Sequence, residues 1–375
     1  MKAENVDYLE DMTIQSILQV IEQFAPPAYQ ESYDNAGLLF GDPSWEVKGV
    51  LLTLDATEAV LDEAIAKGCN LVIAHHPIVF GGLKRITGRN YVERVAIKAI
   101  KNDIAVYAAH TNLDNVRAGV SAMMAKQLSL AGTRVLDPKK DLLRKLYTFV
   151  PAGQASAVQD ALFAAGAGHI GNYSECSFTH EGTGTFKGGE GSNPFAGKPG
   201  ERHGEAEVKL EVIFPAQLEG KVTAALLAAH PYEEVAYDIL KLENRWAEVG
   251  SGLVGELPEA MEEMDFLRLV KERFRTGCVR YTPLRGKKVR KVAVCGGAGS
   301  FLLKQARAAG ADAYVSADFK YHEFFDAENQ LIIADVGHFE SEQFAVDLFY
   351  HILTENFRNF APLKSTINTN PVNYL

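Results

Sequence analysis

The sequence predicts an α/β body interrupted by an inserted ferredoxin-like α+β domain, on three observations. Between Gly49 and Asp114 short apolar strands alternate with amphipathic helices, the pattern of a parallel sheet with right-handed crossovers. From about Leu142 the order becomes β-α-β-β-α-β, the ferredoxin-like succession of elements. Past Asn244 the strand–helix rhythm returns. The expected boundaries are 1–140 and 245–375 for the two parts of the body and 141–244 for the insert, in keeping with 375 residues at roughly 150 per domain.

Ile14, Ile17, Leu18, Ile21 and Phe24 recur at helical spacing, with Thr13 as a cap and Pro26-Pro27 as a stop. Gly49–Leu54 reads as a strand, and Thr57 caps a helix with Val60, Leu61, Ala64 and Ile65 on one face, ended by Gly68. The run Leu71-Val72-Ile73-Ala74 is a buried strand that ends in His75-His76-Pro77. After Gly81-Gly82 come a helix over about Val92–Lys101, a strand over Ile104–Ala109, and the polar set His110-Thr111-Asn112-Leu113-Asp114. In the insert, strands are expected at Leu146–Val150, Gly168–Phe178 (with breaks), Val208–Phe214 and Val235–Leu240, and helices at Ala155–Ala165 and Gln217–Ala229. Thr179–Glu205, glycine-rich with Lys187, Lys198 and Arg202, reads as a long loop, mobile in the first reading and functional in the second. His230-Pro231-Tyr232-Glu233-Glu234 reads as a helix-to-strand turn. Val289–Val294, Ala311–Val315 and Leu331–Ala334 are the strands of the second part, and a helix should begin at about Phe339.

The composition excludes several classes. A net charge of -10 offers no broad basic surface for a phosphate backbone, so nucleic acid is a poor fit as a partner. The opening MKAENVDYLEDM lacks the basic start and apolar centre of a signal peptide, and no apolar run reaches roughly 18 residues. A soluble, cytoplasmic protein without a membrane partner is expected. Cys69, Cys176, Cys278 and Cys295 form no C-x-x-C pair, which argues against a zinc ribbon and suits core filling in a reducing compartment.

Ligands of open α/β sheets gather at the carboxyl ends of the strands, and that rim is where the imidazoles fall. His75, His76, His110 and Asp114 follow strands of the first part, and Asp335-Val336-Gly337-His338 follows one of the second. His338 and Glu342 stand four apart, one helical turn on one face. Three imidazoles and two carboxylates suffice for two divalent ions and a bridging carboxylate, although separate structural roles stay open from the residues alone. Gly296–Gly299 lies between strand and helix and reads as a tight turn or an anion nest. Asp318 could cap a helix carrying His322, and His322 or His110 could move a proton beside the ions.

LVIAHHPIVF, AAHTNLDN, SADFKYHEFFDA and DVGHFESE together resemble the dinuclear-metal-centre hexamer proteins, the NIF-three-like or GTP cyclohydrolase I type 2 homologues. GAGHIGNYSECSF, EGTGTF and HPYEEVAYDI resemble the PII/CutA-like insertion of the longer members. The resemblance implies two divalent metal ions per subunit (zinc, iron or manganese) on His75, His76, Asp114, His338 and Glu342. Glu342 would bridge, with His76 and Asp114 on one ion and His75 and His338 on the other. It further implies a toroidal homohexamer and a metal-dependent hydrolase of the GTP cyclohydrolase type 2 kind with a small-molecule, nucleotide-like ligand. A phosphoesterase, or a non-catalytic metal-binding scaffold whose insert senses a ligand, is the alternative expectation.

Overall fold

Alternation along the first strands accounts for the layers of the fold, seen here in a computed structural model that describes residues 12–375. The acidic opening, read as lacking a signal peptide, falls almost wholly within residues 1–11, outside the described residues. Residues up to Asp137 together with Val249–Leu375 form one unit, and Pro138–Glu248 form a second.

In the first unit, α1 (Ile14–Phe24) is capped as expected, Thr13 accepting from the Ser16 N–H, and it buries Ile14, Ile17, Leu18 and Ile21. β1 (Gly37–Phe40) is an antiparallel edge on a parallel set of β2 (Val50–Asp55), β3 (Leu71–His76) and β4 (Ala105–Ala108). α2 (Glu58–Ala66) and α3 (Tyr91–Lys101) make the crossovers. Leu51, Val72 and Val106 face these two helices, whereas Leu52, Ile73 and Tyr107 face a larger inner core. A period of two thus buries both faces of the sheet. The chain then forms α4 (Thr111–Asp114), α5 (Val120–Gln127) and β5 (Ala131–Lys139).

The second unit has β6 (Leu143–Pro151), α6 (Ala155–Ala164), β7 (Ser177–Lys187), β8 (Arg202–Pro215), α7 (Glu219–Ala229) and β9 (Tyr237–Lys241). Its sheet runs β7-β8-β6-β9, the ferredoxin-like arrangement, with Leu146, Val150, Leu210 and Phe214 packed on Val158, Leu162, Val222 and Leu226 of the helices. The segment expected as a mobile loop is largely a hairpin, since Ser177–Lys187 pairs with Arg202–Val212 residue by residue. Its glycines admit neighbours: a Cβ on Gly184 would lie 1.9 Å from a Glu207 carboxylate oxygen. Likewise Gly168–Cys176, expected as a strand, is a turn closed by the Ile170–Tyr173 bridge. His230 ends α7 and the turn follows, as expected.

The first unit resumes with β10 (Trp246–Met261), α8 (Glu263–Arg273), β11 (Arg280–Tyr281), β12 (Val289–Ala298), α9 (Leu303–Ala308), β13 (Ala313–Ala317) and β14 (Ile332–Asp335). The parallel trio β12-β13-β14 is extended by antiparallel β10 and β11. α10 (His338–Glu342), α11 (Ala345–Asn356) and β15 (Leu363–Lys364) complete it, β15 pairing with β2. Ile14, Ile17, Ile73, Val292, Val315, Ile332 and Phe349 share one core, so α1 and α11 lie between the two sheets. Asp318 does not cap a helix. It sits at φ 56°, and the short 3-10 helix Tyr321–Ala327 is capped at Lys320 instead. Among the described residues no helix is long and apolar enough to cross a membrane.

Candidate metal centre

Parallel strands of both sheets end at the same place, which brings the donors together. β3 ends in His75 and His76, β2 in Asp55, and the turns after β4 and β14 begin with His110 and lead to His338. Gly337, at φ 96°, turns the chain from β14 into α10. One turn of α10 then sets His338 and Glu342 side by side, with His338 Nε2 3.0 Å from Glu342 Oε2.

Glu342 is 2% exposed and faces two groups of donors. Its Oε2 lies 2.8 Å from His76 Nε2, and the two histidine Nε2 atoms lie 3.2 Å apart. Its Oε1 lies 3.8 Å from His75 Nε2, which is 3.6 Å from Asp114 Oδ1. Each trio has the spacing to hold a metal ion. This grouping differs from the one expected: His76 sits with His338, and His75 with Asp114. Adjacent residues of a strand start toward opposite sides, yet at the turn into Pro77 the two imidazoles converge, their rings 5.0 Å apart and both within ligand range of His110.

The chemistry of the donor set fits cations. His75 Nε2 and Asp114 Oδ1 are buried without a hydrogen-bond partner, which is costly unless something else fills the space between them. Every imidazole is oriented through its other nitrogen. His75 Nδ1 donates to the Ala109 carbonyl at 2.8 Å, His76 Nδ1 to Asp55 at 2.7 Å, and His338 Nδ1 to Asp318 at 2.7 Å. Such partners fix the tautomer that leaves Nε2 as the ligand. His110 Nδ1 pairs with Asp34 at 2.8 Å, and its ring stands 5.4 and 5.5 Å from those of His75 and His76.

Electrostatics carry the same message. Burial and the Glu342 charge raise the Asp114 carboxyl, whereas Glu342, despite burial, is held well below its ordinary value by His338 and His75. Burial works against the charged imidazoles, yet Asp55 and Glu342 raise His76 to about 9, and Glu342 and Asp318 raise His338 to about 11. The pocket therefore gathers positive charge around its carboxylates when no ion is bound. The same crowding explains the glycine run. A Cβ on Gly297, at φ 61°, would lie 2.3 Å from Glu342 Oε1, and the Gly297 N–H donates to Ser341 Oγ at 2.9 Å. These glycines make room for Glu342 and form a bulge in β12 rather than an exposed nest.

The structure thus assembles His75, His76, Asp114, His338 and Glu342, with His110 beside them lining a cavity of about 570 Å³. Tyr33, Phe80, Tyr91 and Phe301 form its aromatic walls. His322 is not brought to this cluster; it is exposed, its ring edge-on to Tyr321 at 5.2 Å. Sequence reasoning missed Asp55 and Asp34 and misread Asp318. Asp55 ends a parallel strand, so the rim argument that found His76 applies equally to it. Of the cysteines, Cys69 and Cys295 are buried, and Cys278 is exposed.

Known proteins share this chain at nearly full length. A GTP cyclohydrolase 1 type 2 homolog of Bacillus subtilis is 44% identical over 327 residues, covering 87% of this chain and 88% of the relative. One from Halalkalibacterium halodurans is 43% identical, covering 86% and 88%. The crystal structure of a Bacillus cereus protein related to NIF3 superposes with a TM-score of 0.85 at 39% identity, over 98% of this chain and all (100%) of the other. A Staphylococcus aureus structure gives 0.78 at 29% identity over 98% and 99%. With its profile matching residues 12–371, the chain belongs to the Duf34/NIF3 (NGG1p interacting factor 3) family.

Proposed function

We propose that the chain binds two divalent ions, one at His76/His338/Glu342 and one at His75/Asp114/Glu342, and uses them to hydrolyse a nucleotide-like substrate. One observation carries this: the two oxygens of a single buried carboxylate face two separate donor groups. Divalent ions bound there would acidify a water and polarise the group it attacks. The rest is the work of the chain. Asp55, Asp318 and the Ala109 carbonyl hold the imidazoles in their ligating tautomer. The aromatic walls suit a planar base, and His110, oriented by Asp34, is placed to carry a proton. His322 lines neither the cavity nor the cluster of its own chain, so a shuttle role would require another copy of the chain. A toroidal homohexamer is the assembly we propose from the family likeness, checked by light scattering on eluted protein.

The test combines metal analysis with a substrate screen on zinc-, manganese- and iron-loaded protein, beside Glu342→Ala. Ring opening of GTP releases formate, and a phosphoesterase releases phosphate. Bound ions without turnover of GTP or any phosphoester would favour the non-catalytic reading. That reading has its own support in the second unit, where Phe149, Phe186, Phe195 and Tyr232 wall a cavity of about 660 Å³ around buried Glu207. Metabolite binding there without turnover would make the insert a sensor.

A further inference from the structure

The donors stand on two walls of the first unit, and one stretch of chain ties the walls together. On one wall, β2 supplies Asp55, whose Oδ1 accepts from His76 Nδ1 at 2.7 Å. On the other, α10 carries His338 and Glu342 with buried Glu340 between them. Past β15 the chain is anchored alongside β2: Ser365 N–H donates to the Leu52 carbonyl at 2.8 Å, and Thr366 Oγ1 donates to Glu63 at 2.7 Å. Thr369 Oγ1 then donates to the second oxygen of Asp55 at 2.6 Å, and Asn370 Nδ2 donates to Glu340 at 3.0 Å. Pro371 lines the cavities on both sides of the cluster. Tyr374 has a prepared seat, since a Cβ on Gly277 would lie 2.8 Å from its ring and one on Gly337 2.8 Å from its hydroxyl.

We infer that Thr369–Tyr374 is a built part of the metal centre and that Thr369 is a positioning residue for His76. A carboxylate held at one oxygen only can swing about its Cβ–Cγ bond. With the Thr369 hydroxyl on the other oxygen, Asp55 keeps its acceptor aimed at His76 Nδ1, which keeps the proton there and Nε2 free to ligate. Asn370 and Tyr374 brace the turn of α10 in the same way through Glu340 and Gly337. The segment matters to the site because it touches the groups that aim the ligands, although it supplies no ligand itself.

The inference rests on the two-ion reading, so one experiment addresses both. Ion-stripped wild type, Thr369→Val and Thr369→Ser, all full-length, are titrated with Zn²⁺ against a chromophoric chelator, and with Co²⁺ while its visible bands are recorded. We expect Thr369→Val to weaken one of two ions by about 10-fold or more, the size typical of an outer hydrogen-bond partner, and to alter the cobalt bands. The unfolding midpoint of the ion-free protein should not move, and Thr369→Ser should restore both readouts. Wild-type affinity for both ions in Thr369→Val, equal weakening of both, or no rescue by Ser overturns the inference and leaves the two-ion reading standing. A wild type that takes up a single ion refutes the two-ion reading, and Thr369 is then judged on whether Val weakens that ion. A wild type that takes up none refutes both.

Discussion

Metal uptake should expel protons, and the site sets how many. In the ion-free protein His76 and His338 are raised to about 9 and about 11, above an ordinary imidazole near 6.5. At pH 7 a group with the lower of these values is about 99% protonated, so both rings are imidazolium. To ligate, each must lose its Nε2 proton while Nδ1–H stays on Asp55 or Asp318. An ion at this position therefore releases about two protons, which makes each pH unit worth about 2.7 kcal/mol of binding. The logarithm of apparent affinity should climb by about 2 per pH unit up to pH 9, and by about 1 between there and pH 11. Asp114, raised by burial and by Glu342, adds to the release at the other position. Calorimetry of Zn²⁺ into stripped protein, in buffers of different ionisation heat, counts the protons directly. A total release below about one proton, or an affinity flat with pH, would refute the imidazolium state of His76 and His338 in the ion-free protein. The same raised values stabilise the ion-free fold fully below about pH 6.5, and that contribution is lost as pH rises through 9 and then 11. Ion-free and loaded proteins should thus diverge in unfolding midpoint as the solution becomes alkaline.

Four further outcomes are expected. Glu342→Ala should empty both positions by metal analysis; loss of one ion alone would mean that the carboxylate is not shared. Gly297→Ala forces a Cβ to 2.3 Å from Glu342 Oε1 at a left-handed φ, and should cost about 1–3 kcal/mol in denaturant unfolding and weaken ion binding as well. Phe214→Ala opens the core of the second unit at a cost of about 3–5 kcal/mol to that unit's unfolding transition, with the metal content of the first unit unchanged. If the centre is hydrolytic, His110→Ala should lower kcat by about 10²–10⁴ while both ions are retained, and an unchanged kcat would remove His110 as the proton carrier.

Much of this protein is written in local pattern. Thr13 and Thr57 announce their helices because a hydroxyl at the cap satisfies an otherwise unpaired N–H. The runs ending at His76 and Asp335 announce buried parallel strands, and strand ends are where such sheets bind ligands. Donor types at those ends make a candidate metal centre legible in the sequence. Pattern misleads where the determinants lie elsewhere in the chain: the glycine-rich β7 reads as loop because its partner strand β8 lies beyond a long connection, and Asp318 reads as a cap because its partner His338 is 20 residues on. What the sequence determined by itself is which side chains stand at the ends of which strands, since periodicity and capping are set by backbone neighbours. Which donors lie close enough to share an ion, and that Asp55 and Thr369 stand behind His76, only the tertiary structure decided. Glu342 meets His76 across 266 residues because two sheets pack on one core, and the spacing of that packing has no local signature in the chain.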